Sequence, residues 1–215
     1  MHMKKFTLFF ILFFFVAFAN AQINRGTIFL GGGVSANNNK SISPSSVTNS
    51  HGLSIFPSIG LAIKENIVFG IKVGYGYAKT KYSIASVYEK DRTYSGGVFL
   101  RRYLALGKGF YLFGEAEAIY FQRKNDQLTG IDEQSHLTQK VFQLSLNPGL
   151  AYAVNNIFHL EISLNELVHL DYNKTKRENI FIGGSTQEES KGFYFNSNAS
   201  SVSAINIGFR FVFAK

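Results

Sequence analysis

The stretch Leu53-Ser54-Ile55-Phe56-Pro57-Ser58-Ile59-Gly60-Leu61-Ala62-Ile63 decides the fold. Its odd positions are Leu, Ile, Pro, Ile, Leu and Ile, and its even positions are Ser, Phe, Ser, Gly and Ala. A period of two is the side-chain alternation of a β-strand, and here one face is greasy without interruption. Working outward, the same alternation predicts strands over Thr27–Ala36, Ile67–Tyr82, Asp91–Leu106, Phe110–Lys124, Gln139–Val154, Ile157–Tyr172 and Ala199–Phe213. With Leu53–Ile63 that makes eight.

The connections alternate in length. Lys64–Asn66, Gly107–Gly109 and Asn155-Asn156 read as tight turns, whereas Asn37–His51, Ser83–Lys90, Asn125–Thr138 and Asn173–Asn198 read as long polar loops. Short turns at one end and long loops at the other are the pattern of an up-and-down barrel that spans a membrane. The strands are long enough, because about 9–11 tilted residues cross a bilayer. A soluble eight-stranded barrel is the competing form, and the second face argues against it. That face carries Gly, Ser, Ala and Asn with isolated charges, a poor surface for water but a fitting lining for a lumen that side chains just fill. The bulky face suits lipid. Tyr75, Tyr77, Tyr120, Phe142 and Tyr172 fall near the long-loop ends, and Phe69, Tyr152, Phe158, Phe211 and Phe213 near the short-turn ends. Two aromatic girdles are expected where rings meet lipid headgroups. The predicted fold is therefore all-β, an eight-stranded antiparallel up-and-down transmembrane barrel.

The first 21 residues read differently. Lys4 and Lys5 precede an apolar run from Phe6 to Phe18, and Ala19-Asn20-Ala21 supplies the small-x-small pattern of a cleavage site. This is a secretory signal, too short to span a bilayer as a helix. Residues 1–21 are expected to be removed and residues 22–215 to form the barrel domain. The chain has 215 residues with no Cys, so disulfides, thiolate catalysis and Cys-built zinc sites are excluded. Lys and Arg number 22 against 14 Asp and Glu, but no block of five or six like charges occurs, and no nucleic-acid partner is expected.

The chain resembles the small outer-membrane β-barrel proteins of Gram-negative bacteria, the OmpA-like and OmpW-like eight-stranded barrels, in particular single-domain versions found in Bacteroidota. The resemblance rests on Pro57-Ser58-Ile59-Gly60, Phe99-Leu100-Arg101-Arg102-Tyr103, Phe113-Gly114-Glu115-Ala116, Asn147-Pro148-Gly149-Leu150 and the closing Gly208-Phe209-Arg210-Phe211-Val212-Phe213. It implies residence in the outer membrane, among its lipids. The closing aromatic strand is similar to the signal read by the barrel-insertion machinery, although Ala214 and Lys215 follow the last Phe.

Motifs with other readings give way. Gly31-Gly32-Gly33-Val34-Ser35-Ala36 fits G-x-G-x-x-A, but polar loop follows where a dinucleotide site needs a helix. His159 and His169 lie more than roughly 30 Å apart along one strand and cannot share a metal. His169 with Ser163 or Asp171 suggests a lipid-modifying hydrolase, yet no spacing marks a base within reach of a hydroxyl. No catalytic residue, metal or cofactor is expected. Six charged residues have inward parity instead: Lys72, Arg101 and Arg210 against Glu115, Glu117 and Glu161. Each lies a few residues from a short turn or the C-terminus, so all six belong at one depth. A Gly107–Gly109 turn that pairs Leu106 with Phe110 sets Arg101 opposite Glu115. Unpaired charge in so narrow an interior is costly, so an ion-pair layer is expected to plug the lumen. The expected protein is a monomer with a structural or surface-binding role through its long loops. A narrow channel or small-ligand transporter is the alternative, and a lipid-modifying enzyme the second.

Overall fold

A computed structural model describes residues 23–43, 46–83, 87–129, 133–164, 166–197 and 205–213. The signal segment, and Ala214 and Lys215, lie outside the described residues. Ten strand segments follow one another: β1 (Ile28–Ser43), β2 (Ser46–Lys64), β3 (Ile67–Tyr82), β4 (Tyr88–Gly107), β5 (Phe110–Thr129), β6 (Glu133–Ala153), β7 (Phe158–Leu164), β8 (Val168–Phe181), β9 (Gly184–Ser197) and β10 (Ile205–Phe213). They build eight staves. β7 and β8 both pair with β6, one below the other, and form the seventh. β9 pairs with β8 and β10 with β7, forming the eighth. All neighbours are antiparallel, and β10 closes the ring on β1 through Ile28↔Phe213 to Gly32↔Phe209. Among the described residues, β1 beyond Gly32 pairs only with β2.

The break between β7 and β8 corrects the single strand expected over Ile157–Tyr172. It falls opposite Asn147 and Pro148 of β6. Proline has no N–H to offer a ladder, and such sites collect bulges. The Asn147 side-chain oxygen accepts from the Glu166 amide at 2.6 Å, and Glu166 takes φ 53°. The turns are also corrected. Lys64 pairs with Ile67 and Gly107 with Phe110, leaving two-residue turns at Glu65-Asn66 and Lys108-Gly109. Lys108 and Gly109 both have positive φ, as a twisted hairpin demands. A bulge at Leu106 then restores Ala105↔Tyr111.

The larger correction concerns the long loops. Strand pairing runs far into them: β1 and β2 pair to Ser43↔Ser46, and β5 and β6 to Thr129↔Glu133. Most of Asn173–Asn198 is the β8–β9 hairpin, closed at Phe181↔Gly184. Polar composition marks these segments as exposed to water, and cross-strand hydrogen bonding is compatible with that exposure.

Parity sorts the side chains as a membrane barrel requires. Ile59, Leu61, Ile71, Leu100, Leu112 and Leu150 are among the large apolar residues exposed on the outer face. On β5 this band runs from Phe110 to Tyr120, about 33 Å of strand and ~25 Å of membrane normal at the usual tilt. Phe110 and Tyr152 meet at 4.6 Å at the short-turn end, and Tyr75 and Tyr94 at 5.4 Å toward the other. Inside, Phe29, Val68, Phe99, Tyr103 and Phe113 form a closed apolar floor, with Ile23 tucked beneath it. The Asn66 side-chain oxygen holds the Ile23 amide at 3.0 Å. Glycines make room for the floor: a Cβ on Gly70 would collide with the Phe99 ring and with the Ile59 carbonyl oxygen. Gly70→Val is expected to destabilise the barrel by about 2 kcal/mol through overpacking. The midpoint of urea unfolding, followed by heat-modifiable electrophoretic mobility, measures this.

Candidate functional site

Immediately above the apolar floor lies a layer of charge. β4 supplies Arg101, β5 Glu115 and Glu117, β3 Lys72, β7 Glu161 and β10 Arg210. The register sets Arg101 opposite Glu115 directly. Arg101 Nε donates to Glu115 Oε2 at 2.6 Å, and its Nη1 to Glu161 Oε1 at 2.6 Å. Arg210 Nε donates to the same Glu161 oxygen at 2.8 Å, and its Nη2 stands 3.6 Å from Glu115 Oε2. Lys72 Nζ donates to Glu115 Oε1 at 2.6 Å and also to Glu117. The structure thus brings all six residues into one network of three cations and three anions, spanning the lumen from β3 to β10.

The network is dry at its centre. Arg101 is 4% exposed and Glu115 3%, whereas the Lys72 side chain, at the upper rim, keeps 25%. Aromatic faces flank the cations, with Phe113 on the short-turn side of Glu115 and Phe99 on the long-loop side of Arg101 along their own strands. The Arg101 guanidinium lies 4.0 Å from the centre of the Phe113 ring, and Arg210 and Lys72 flank Phe99 at 5.5 and 5.3 Å. Tyr103 completes the contact by accepting from Arg101 Nη1 at 3.1 Å. His159, opposite Arg210 in register, stacks on Tyr111 at 5.7 Å. A charge inserted into an apolar tube must be matched by its opposite and hydrogen-bonded on all sides. Here the charges are matched within the chain, while Arg210 Nη1 and His159 Nδ1 are buried without a hydrogen-bond partner among the described residues.

Sequence reasoning did not assign Tyr103, Phe113, Phe99 or His159 to this layer, although each has inward parity and stands within two residues of Arg101, Glu115 or Glu161. The hairpin tip Ile180-Phe181-Ile182 was missed too. Ile182 is 79% exposed, and the signal available was an apolar triplet beside Gly183-Gly184 in a polar stretch. Higher in the lumen, His169 Nε2 faces Asp171 Oδ2 at 3.6 Å, with Ser145 across from His169 in register. Above these, Ser35, Asn37, Ser54, Asp91, Thr93 and Arg123 line a vestibule of about 280 Å³. Among the described residues no group of three or more His, Asp or Glu is arranged to hold a metal.

An antiparallel barrel with an apolar outside, aromatic girdles and a polar, filled inside is an outer-membrane β-barrel, since a closed barrel is the β-form that hydrocarbon tolerates. Comparisons of the sequence find no matching protein family and no matching curated protein. Solved structures do match. The translocator domain of the autotransporter NalP from Neisseria meningitidis superposes with a TM-score of 0.51 at 13% identity, over 89% of this chain and 66% of that one. This chain therefore spans just under two thirds of that structure. Neisserial surface protein A (NspA) matches at TM-score 0.42 and 18% identity, over 89% of this chain and 99% of that one. A major outer membrane protein from Thermus thermophilus matches at TM-score 0.45 and 12% identity, over 90% of this chain and 100% of that one. At these identities the likeness concerns the fold alone.

Arg101→Ala strips Glu115 and Glu161 of one of the two arginines they share, at the driest point of the network. It is expected to cost about 3–5 kcal/mol, the usual loss when half of a buried ion pair is removed. Equilibrium urea unfolding of the refolded barrel measures it, and an unchanged midpoint would contradict a structural role for the layer.

Proposed function

We propose that this protein is a plugged, non-catalytic outer-membrane barrel that anchors hairpins at the cell surface. The carrying observation is the six-charge network. Its three cations and three anions pair with one another across the lumen, against a cluster of Phe and Tyr. Such a layer opposes ions and water, because a permeating ion would have to displace a neutral, internally paired set of charges. The vestibule above it is then a blind well open to the outside.

The surface role follows from what stands above the membrane. The β8–β9 hairpin projects beyond the outer girdle and ends in exposed Ile180, Phe181 and Ile182. An apolar tip in water is costly for its own sake and is a natural contact for a partner on or beyond the cell surface. The barrel works as a monomer, and its aromatic closing strand serves recognition by the insertion machinery. Membership among the OmpA-like and OmpW-like barrels of Bacteroidota, delivered by a cleaved signal, fits this reading.

Planar-bilayer recordings test the plug. The wild-type barrel is expected to show no porin-like conductance. The charge-balanced Arg101→Ala/Glu161→Ala variant is expected to leak ions. A wild-type open channel would favour the transporter alternative. Because the chain contains no Cys, Ile182→Cys introduces a single thiol. Intact cells carrying it are expected to react with a membrane-impermeant maleimide, and a silent Cys would overturn the assigned orientation.

A further inference from the structure

The outer face of β5, β6, β8 and β9 changes character abruptly at the upper girdle. One cross-strand row contains Tyr120, Phe142, Tyr172 and Phe193, each opposite the next in register. The row above, two residues further along each strand, contains Gln122, Lys140, Lys174 and Lys191, again opposite one another. The next contains Lys124, Thr138, Lys176 and Glu189. Three lysines thus stand side by side on adjacent strands, about 4.8 Å apart in the pairing direction, directly above four aromatic rings.

Like charges placed opposite each other on neighbouring strands destabilise a sheet. The chain offsets this only in part. Glu189 meets Lys174 at 3.0 Å, Lys191 at 3.1 Å and Lys176 at 3.5 Å. Hydrogen bonds from Lys174 and Lys191 hold its carboxyl down to about 2, so it stays anionic at any physiological pH. Lys124 and Lys140 have no ion-pair partner among the described residues. Glu178 and Asp126 do not reach them: Glu178 bonds to Gln187, and Asp126 engages His136 and Arg92. Lys124, Lys140, Lys174, Lys176 and Arg177 line one shallow groove of about 720 Å³, where they outnumber Glu178, Glu188 and Glu189.

Height above the membrane identifies the missing anion. Aromatic rings mark the level of the headgroups, and each lysine stands one pleat above a ring on its own strand, the row climbing from Lys140 to Lys191 as the strands tilt. A soluble polyanion would have no reason to be met there. A lipid whose acyl chains lie against the outer strands would place its phosphate at that level. From this juxtaposition we infer that the Lys140, Lys174, Lys191 and Lys124 face is a binding site for a phosphorylated lipid headgroup of the outer leaflet. The aromatic row below packs against the same lipid's chains. The site is on the outside of the barrel and does not depend on whether the lumen is plugged.

The test uses the refolded mature barrel in detergent, with native mass spectrometry reading retained lipid. The probes are bisphosphorylated lipid A and the same lipid with both phosphates removed. Wild-type protein is expected to retain the phosphorylated form preferentially, and more weakly as salt rises, since exposed charge is screened. Lys140→Gln/Lys174→Gln/Lys191→Gln is expected to lose roughly a hundredfold in retention, the combined effect of three cations near a membrane surface. Lys64→Gln/Lys108→Gln, at the opposite end of the barrel, is expected to retain the lipid as wild type does. Equal retention of both probes by the wild type overturns the inference. So does a folded triple variant, judged by heat-modifiable mobility, that binds as the wild type does. Should the triple variant not fold, the wild-type comparison of the two probes decides alone.

Discussion

A backbone that crosses hydrocarbon has no water to satisfy its amides and carbonyls, so each strand must find partners on its neighbours. Everything else in this molecule follows from that constraint. Pairing around a ring turns one face of every strand toward lipid and the other toward a narrow interior. The Leu, Ile and Phe positions therefore face outward in a reversal of the soluble pattern, and the interior has to be packed by what remains. Glycine is placed where rings need room, as at Gly70 against Phe99 and Gly149 against Phe113. The two prolines among the described residues stand where a ladder is interrupted. The β2–β3 register omits Phe56 and Pro57, and the β7–β8 break stands opposite Pro148.

Within that narrow interior, charge is arranged in a different way from apolar packing. The floor is built from rings that exclude water, and the ionic layer rests on it. Phe113 and Phe99 serve both parts, packing into the apolar cluster and presenting π-faces to Arg101, Arg210 and Lys72. The two layers depend on one another. Without the rings the guanidinium groups would lack a surface to lie on, and without the carboxylates they would be uncompensated in a dry tube. Two of the carboxylates, Glu115 and Glu161, each serve both arginines, which ties β4, β5, β7 and β10 together across the ring and not merely along its wall.

The outer surface shows the complementary division. Below the upper girdle it is apolar apart from Arg102, and matched to acyl chains; above it, lysine dominates one side. The same parity that sends Glu115 and Arg101 inward sends Lys140 and Lys174 outward, so inner and outer charge are distributed by the strand period alone. The inner charges neutralise one another, whereas part of the outer charge is left for the surroundings.

The sequence by itself determined the fold class, because a period of two can be read residue by residue and needs no partner to be recognised. It also determined the inward parity of Lys72, Arg101, Glu115, Glu117, Glu161 and Arg210. Counting from the turn at Gly107–Gly109 put Arg101 opposite Glu115 even though the turn proved one residue shorter, since the Leu106 bulge absorbs the difference. Only the tertiary structure decided which strands meet across the barrel. Glu161 reaches Arg101 over 60 positions of chain, a contact that no local spacing encodes. The long polar segments escape sequence reading for the same reason: a hydrophilic strand above the membrane looks like a loop until its partner supplies the hydrogen bonds. The lysine row is likewise invisible in the chain, where Lys140, Lys174 and Lys191 are far apart. Register alone sets them side by side.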